Sequence, residues 1–383
     1  MSQALTVDIR KLESLTVDER AQWRAWQAAD PDLASPYFCV EFAEIAAGIS
    51  PASAMAVFRR GDTVVGYFPF QRRGGAVQPI AAPMNDYHGV IGPKGETPDM
   101  ADTARLLNGA RFSVNGWVGP TAAGIRGESI RTAIPEGGGY EAWYAQRRQA
   151  FGKYFKDKER ARRSMATEFG EVVVEIGLRD HGLLDELIAL KREQYRRTGR
   201  HDVFACGWTR ELLHALMAAK TDSFGASIAV LRAGGRVCAL EYSLHAGERF
   251  HFWFPAYVPA LARCSPGIIL SMETMRLGAE QGYREFDYGF GGEAYKRYFC
   301  DKLQPVTEAV VLRPGLPSAL GATAGGLLRL AAGEARAEKL RASVRRRWNA
   351  IEACETSGLN RFRGAALAAR TALSKARTRQ AAS

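Results

Sequence analysis

Residues 263–270 read RCSPGIIL. The strand-like run RFHFWFPAYV (249–258) precedes them, and the periodic run SMETMRLGAEQG (271–282) follows. A strand therefore passes through Ser-Pro-Gly into a helix. Ser265 suits an N-cap, because a hydroxyl can accept from a free first-turn N–H. Pro266 suits the first helical position, where a missing N–H costs nothing. A second reading uses the same geometry. Helix N-termini offer unpaired N–H groups and partial positive charge, which attract phosphate. Gly267 lets a ligand approach the backbone, and Arg263 adds a full charge. From these residues alone both readings stay open.

Three β-rich runs lie upstream, at 226–233, 236–246 and 248–258, joined by short Gly-containing turns. They predict an antiparallel meander. Before them come the strand EVVVEI (171–176) and the helices at 180–199 and 209–220. After them come YREFDYGF (283–290) and PVTEAVVLR (305–313), both strand-like. Nearer the start, 54–71 reads as a hairpin, 100–111 as a helix, and 111–119 and 128–135 as strands. The break PEGGG (135–139) precedes a long helical stretch, 140–170, interrupted at Gly152. The order suggests a duplicated α/β unit.

The chain has 383 residues, enough for two domains. Its apolar and charged shares, 46% and 24%, are globular. No apolar run approaches the roughly 18 residues that span a bilayer. The start MSQALTVDIRKLESL lacks the pattern of a signal peptide, so a cytoplasmic protein is expected. Cys39, Cys206, Cys238, Cys264, Cys300 and Cys354 form no CxxC pair, which predicts reduced thiols and no metal site. The net charge is +11, and nine of those charges lie beyond residue 316. The basic character belongs to a tail.

The order of elements, with CSPGIIL, GYREFDYGFGGEAYKRYF (282–299) and ARRSMATEFGEVVVEI (161–176), resembles one family. It is similar to the CelD/BcsL-type acyltransferases. These are a FemAB-related branch of the GNAT (Gcn5-related N-acetyltransferase) superfamily, which includes enzymes that modify holdfast and exopolysaccharide. The resemblance covers about residues 40–313. It implies an α/β fold of two tandem GNAT-like domains with mixed, largely antiparallel sheets. The expected boundaries are 1–139 for the first domain, 140–170 for a connecting helical segment and 171–314 for the catalytic domain. A basic helical tail, 315–383, follows. The resemblance implies acetyl-CoA as co-substrate, with its pyrophosphate at Arg263, Ser265, Pro266 and Gly267. The usual Arg/Gln-x-x-Gly-x-Gly/Ala loop is matched only in part, with Ile at the second small position.

The implied reaction moves an acyl group, most simply acetyl, to a sugar amine or hydroxyl. The sugar would belong to a polysaccharide precursor or a nucleotide- or lipid-linked sugar. Asp287 and Glu241 are candidate bases. Tyr295 and Lys296 carry the family's YK pair. Tyr295 would protonate the leaving thiolate, and Lys296 would hold an anionic group. His251 and Trp253 share a strand face and are candidates for a sugar pocket; a packed imidazole is the other reading of His251. In the tail, Arg345, Arg346, Arg347 and Trp348 suit either cyclic di-GMP or an anionic membrane surface. A peripheral position at the inner membrane face follows from the second. Nucleic acid is not expected.

Other functions stay open. One is a FemAB-like aminoacyl transfer from tRNA, and another is a non-catalytic effector that binds a cyclic dinucleotide. A plant-type acyltransferase pattern, His181-x-x-x-Asp185, lies on a helix start where acids are favoured anyway. The glycines of GFGGEAYK precede no clear helix and fail the context of a dinucleotide site.

Overall fold

The computed structural model describes residues 3–122, 124–219, 221–290, 293–313, 348–359, 361–362 and 364. The first half runs β1 (Leu5–Arg10), α1 (Val17–Ala29), α2 (Val40–Ile49), β2 (Ser53–Arg60), β3 (Thr63–Arg73), β4 (Ala76–Pro79), α3 (Met100–Leu107) and β5 (Arg111–Trp117). Then come β6 (Ile125–Ala133), α4 (Gly139–Ala150) and α5 (Gly152–Phe169). The second half runs β7 (Val172–Leu178), α6 (His181–Thr198), α7 (Gly207–Ala218), β8 (Gly225–Ala233), β9 (Arg236–Ala246), β10 (Arg249–Tyr257), α8 (Pro266–Glu280) and β11 (Glu285–Phe290). β12 (Lys302–Leu312) closes the sequence of strands.

The two halves repeat one order, β-α-α-β-β-β-α-β. The sequence signals for β1, α1 and α2 are weaker, and these elements went unread above. One signal is there: Thr16 accepts from the Glu19 N–H at 3.2 Å while the Glu19 carboxylate accepts from the Thr16 N–H at 2.9 Å. This capping box starts α1. α6 starts on Asp180, which accepts from the Gly182 and Leu183 N–H groups. The expected single stretch over 140–170 is two helices, which break at Phe151.

All twelve strands form one sheet, in the order β1-β2-β3-β4-β5-β12-β6-β11-β10-β9-β8-β7. The halves therefore share a sheet instead of holding one each. They also cross over. β6, early in the chain, pairs with β11, and the late β12 lies between β5 and β6. Within each half one parallel pair joins the two ends of a crossover helix. β4 meets β5 at only two positions, and β10 meets β11 at three, His251 opposite Asp287 being the last.

α1, α2, α6 and α7 pack into one core with Trp23, Phe42, Leu187 and Leu213. Leu240, Tyr242 and Leu244 of β9 face that core, as their alternation predicts. α4, α5 and α8 build two further cores, which hold Trp143, Phe155 and Phe299, and Met165 and Leu270. Among the described residues no helix is long and apolar enough to cross a membrane.

Candidate active site

β10 and β11 run together from Arg249 to His251 and then part. A bulge in β10 between Phe252 and Phe254 accompanies the parting. The gap opens into a cavity of about 530 Å³. Lys191 and Tyr195 of α6 line it, as do Ser265, Pro266, Gly267 and Ser271 at the start of α8. Glu241, Trp253, Tyr295, Lys296 and Asp86 complete the wall.

The structure thus brings most of the expected site residues together. At the helix start Pro266 takes the first position. Ser265 does not cap with its side chain. Its backbone is left-handed (φ 52°), and its hydroxyl receives Lys158 Nζ at 2.9 Å instead. Ile268 and Ile269 donate to the Ser265 carbonyl, so their N–H groups are occupied. Gly267 faces open space: a side chain there would meet only Tyr257, at 3.8 Å. Lys158 supplies the charge at this corner. Arg263 does not line the cavity. Its side chain is 59% exposed and paired with Glu168.

Glu241 is 4% exposed, so it is no solvent-facing charge. Its Oε1 has no hydrogen-bond partner among the described residues. Burial pushes its carboxyl up to about 8, against the pull of the Lys191 ammonium. Lys191 is lowered to about 8 by burial, and the Glu241 charge opposes that. The Lys191 ammonium donates to the Pro255 carbonyl at 3.2 Å. Burial raises the Tyr295 hydroxyl, so it keeps its proton at neutral pH. Lys296 is buried, 2.9 Å from Glu293.

Asp287 and His251 stand elsewhere. Asp287 is 1% exposed and does not reach the cavity wall. Its Oδ1 accepts from Tyr87 OH at 2.9 Å and from the Gly289 N–H at 2.7 Å. Both bonds fall on the same carboxylate oxygen. His251 is fully buried, so of the two candidates for a sugar pocket only Trp253 lines the cavity. His251 Nε2 lies 3.1 Å from Asp86 Oδ2, and Nδ1 lies 3.6 Å from Asp287 Oδ1. Burial alone would lower this imidazole. The flanking carboxylates, Asp287 first and then Asp86, raise it to about 9. His251 in turn holds Asp287 below its ordinary value, although burial works the other way.

Sequence reading missed Asp86, Tyr87, Lys158 and Lys191. Asp86 and Tyr87 come from the first half, in the loop MNDYHGV (84–90). His88 anchors that loop. It is buried, lowered to about 3 by burial, and its neutral Nε2 accepts from the Asn115 and Gly116 N–H groups. A Cβ on Gly116 would sit 1.9 Å from the Asp86 carbonyl, so the loop can lie this close only over glycine. The density of Lys and Arg at 153–163 was the available signal for Lys158. Asp86 left none, because its partner lies far along the chain.

Of the tail residues, Arg345, Arg346 and Arg347 lie outside the described residues. Trp348 lies in a helical run described over 348–354 and is 38% exposed. His181 and Asp185 both contact His214 on the surface of α6 and α7, away from the cavity. Among the described residues no group of His, Cys, Asp and Glu could hold a metal ion.

Residues 152–297 match the family described as acetyltransferase (GNAT) domain. The match runs from the start of α5 to just beyond β11 and includes the whole cavity wall except Asp86. No curated protein sequence matches the chain. Among solved structures the chain is similar to a C-terminal domain described as that of a lysylphosphatidylglycerol synthetase from Agrobacterium fabrum. The identity is 13% over 81% of this chain and 96% of that one, with a TM-score of 0.49. It is also similar to FemX (10%, 79% and 95%, TM-score 0.48). A tandem GNAT protein from the clavulanic acid biosynthesis pathway is a third (9%, 81% and 98%, TM-score 0.43).

Proposed function

We propose that this chain is an acyltransferase that moves an acyl group, most simply acetyl, from a CoA thioester to an amine or hydroxyl of a sugar. The sugar is the cell-surface polysaccharide precursor expected from the sequence. The observation that carries the reading is the cavity between the parted strands β10 and β11. The start of α8 lies at one part of its wall, and a buried carboxylate, Glu241, whose Oε1 has no hydrogen-bond partner among the described residues, at another.

The residues present fit a CoA thioester. Gly267 leaves room beside the helix start, and Lys158 adds a cation for a pyrophosphate. Phe252, Trp253 and Tyr288 give apolar walls for the pantetheine arm. Donor and acceptor held side by side react as if within one molecule, which removes much of the entropic barrier. The acceptor nitrogen or oxygen attacks the thioester carbonyl. Glu241 takes its proton, and its elevated affinity for protons suits that task near neutral pH. The carbon–sulfur bond then breaks, and Tyr295 gives its proton to the departing thiolate.

The test is release of free thiol from acetyl-CoA in the presence of amino sugars. Sugar-dependent release, absent in Glu241→Gln, supports the proposal. No acyl-CoA binding by calorimetry and no thiol release with any sugar would overturn it.

A further inference from the structure

A second cavity, of about 750 Å³, lies beside the first. It is within the size range of small-molecule sites. Its wall comes from β4, β5, β6 and β12, and from the C-terminal helix 348–354. Arg200, Phe290 and Glu293 line both cavities, so the two adjoin at these side chains. We propose that this second cavity binds the sugar acceptor, and that the C-terminal helix is part of the binding site. The proposal rests on the acyltransferase reading for the reaction, but not for the binding.

The chemistry of the wall carries the argument. Gln78, Ser113, Asn115 and Asn349 offer uncharged donors and acceptors from three different parts of the fold. Ser113 is 3% exposed, and its hydroxyl has no partner among the described residues. A buried hydroxyl left unpaired costs stability unless a ligand or water meets it. The wall's charges nearly balance: Arg126 and Arg200 stand against Glu128, Glu293 and Glu308. Such a lining, with one carboxylate in excess, suits a hydroxyl-rich sugar, neutral or carrying an amine, better than a phosphate or an acidic polymer, which would need excess positive charge.

The helix is held from both halves of the protein. Arg73 Nε donates to the Ala353 carbonyl at 3.3 Å, and Arg111 pairs with Glu352. From the other half, Trp208 Nε1 donates to the Cys354 carbonyl at 3.0 Å. Ile351, Ala353 and Cys354 are buried. With the helix fixed this way, Asn349 and Ala350 face the cavity as part of its wall. The tail is therefore tied to acceptor binding, while none of the described residues that line the donor cavity comes from it.

Three full-length variants test this: Ala350→Trp, Ser113→Ala and Asn349→Ala. The probes are glucosamine and its β-1,4-linked di- to tetrasaccharides, with binding read by calorimetry in the absence of acyl-CoA. The filled cavity of Ala350→Trp should weaken sugar binding at least about tenfold, or 1.4 kcal/mol. Each polar deletion should weaken it by about threefold to tenfold. Acetyl-CoA affinity should stay unchanged in all three. If Ala350→Trp unfolds, the two polar deletions decide. Wild-type sugar affinity in both would overturn the proposal, as would a wild-type protein that binds none of the probes. Sugar binding that the variants lose, without any thiol release in the wild type, supports this site and removes only the acyltransferase reading.

Discussion

His251 of β10 and Asp86 of the first-half loop meet at 3.1 Å, 165 residues apart in the chain. Asp287 closes the other side of the imidazole. Tyr37 and Tyr87 stack edge-on against it at 5.2 and 5.7 Å. The buried imidazole thus sits between two carboxylates, one from each half, just behind the cavity wall.

That contact makes stability depend on pH. The folded imidazole holds its proton to about pH 9, against 6.5 for the ordinary side chain. Its contribution is complete below about pH 6.5 and fades as the pH climbs through about 9. Asp287 behaves oppositely. Its contribution is complete above 3.8 and fades as the pH falls through its lowered folded value. Thermal unfolding of the wild type and His251→Gln should converge as the pH rises from about 7 to about 9.5. A constant gap across that range would mean that the imidazole is not charged in the fold.

Glu241 predicts a trade between activity and stability. Its carboxyl binds protons more tightly folded than unfolded, so it costs stability progressively from pH 4.5 to about 8. Glu241→Gln should therefore melt higher than the wild type at pH 7.5. The same change should cut sugar acetylation by about 10²–10⁴-fold. Wild-type turnover should rise with pH through about 8. A fully active Glu241→Gln would move the base to another group, and Asp86 is then the first to examine.

Asp287→Asn separates two roles. The amide keeps the shape but cannot balance the charged imidazole. Breaking such a buried pair costs about 3–5 kcal/mol, and the melting temperature should fall accordingly. A direct base would give another pattern: unchanged stability with a turnover loss of about 10²–10⁴-fold. Circular dichroism melts beside thiol-release rates distinguish them.

Gly267→Asp tests the donor site. The Cβ meets nothing closer than 3.8 Å, so folding should tolerate it. The new carboxylate lies where a pyrophosphate would approach the start of α8. Acetyl-CoA affinity should drop by about tenfold or more, measured by calorimetry. Unchanged affinity would place the donor elsewhere.

Much of the second half was legible in the sequence because its signals are local. Period-two alternation in 226–258, the Asp180 cap and Gly199 end of α6, and Pro266 ahead of an apolar run all act within a few residues. Glu241 could be placed on a strand face by counting alone. Ser265 misled, because a serine before Pro-Gly fits a cap equally well whether or not Lys158 claims its hydroxyl. Arg263 misled for a similar reason: Glu168, 95 residues earlier, draws it away.

What the sequence by itself determined is the elements of the second half and their order, since hydrophobic period, caps and glycines are properties of short segments; β1, α1 and α2, on which the repeat in the first half depends, needed the structure. Which strands are neighbours was decided only in three dimensions. β12 enters between β5 and β6, and β6 joins β11, through pairings 152 or more positions apart, such as Glu285 with Ala133 and Val306 with Gly127. Backbone hydrogen bonds carry no residue code, so such partners leave no local mark. The same holds for the charged core of the site. Asp86, His251 and Asp287 are unremarkable singly, and burial together, in a medium that makes an unpaired charge costly, is what turns them into one unit.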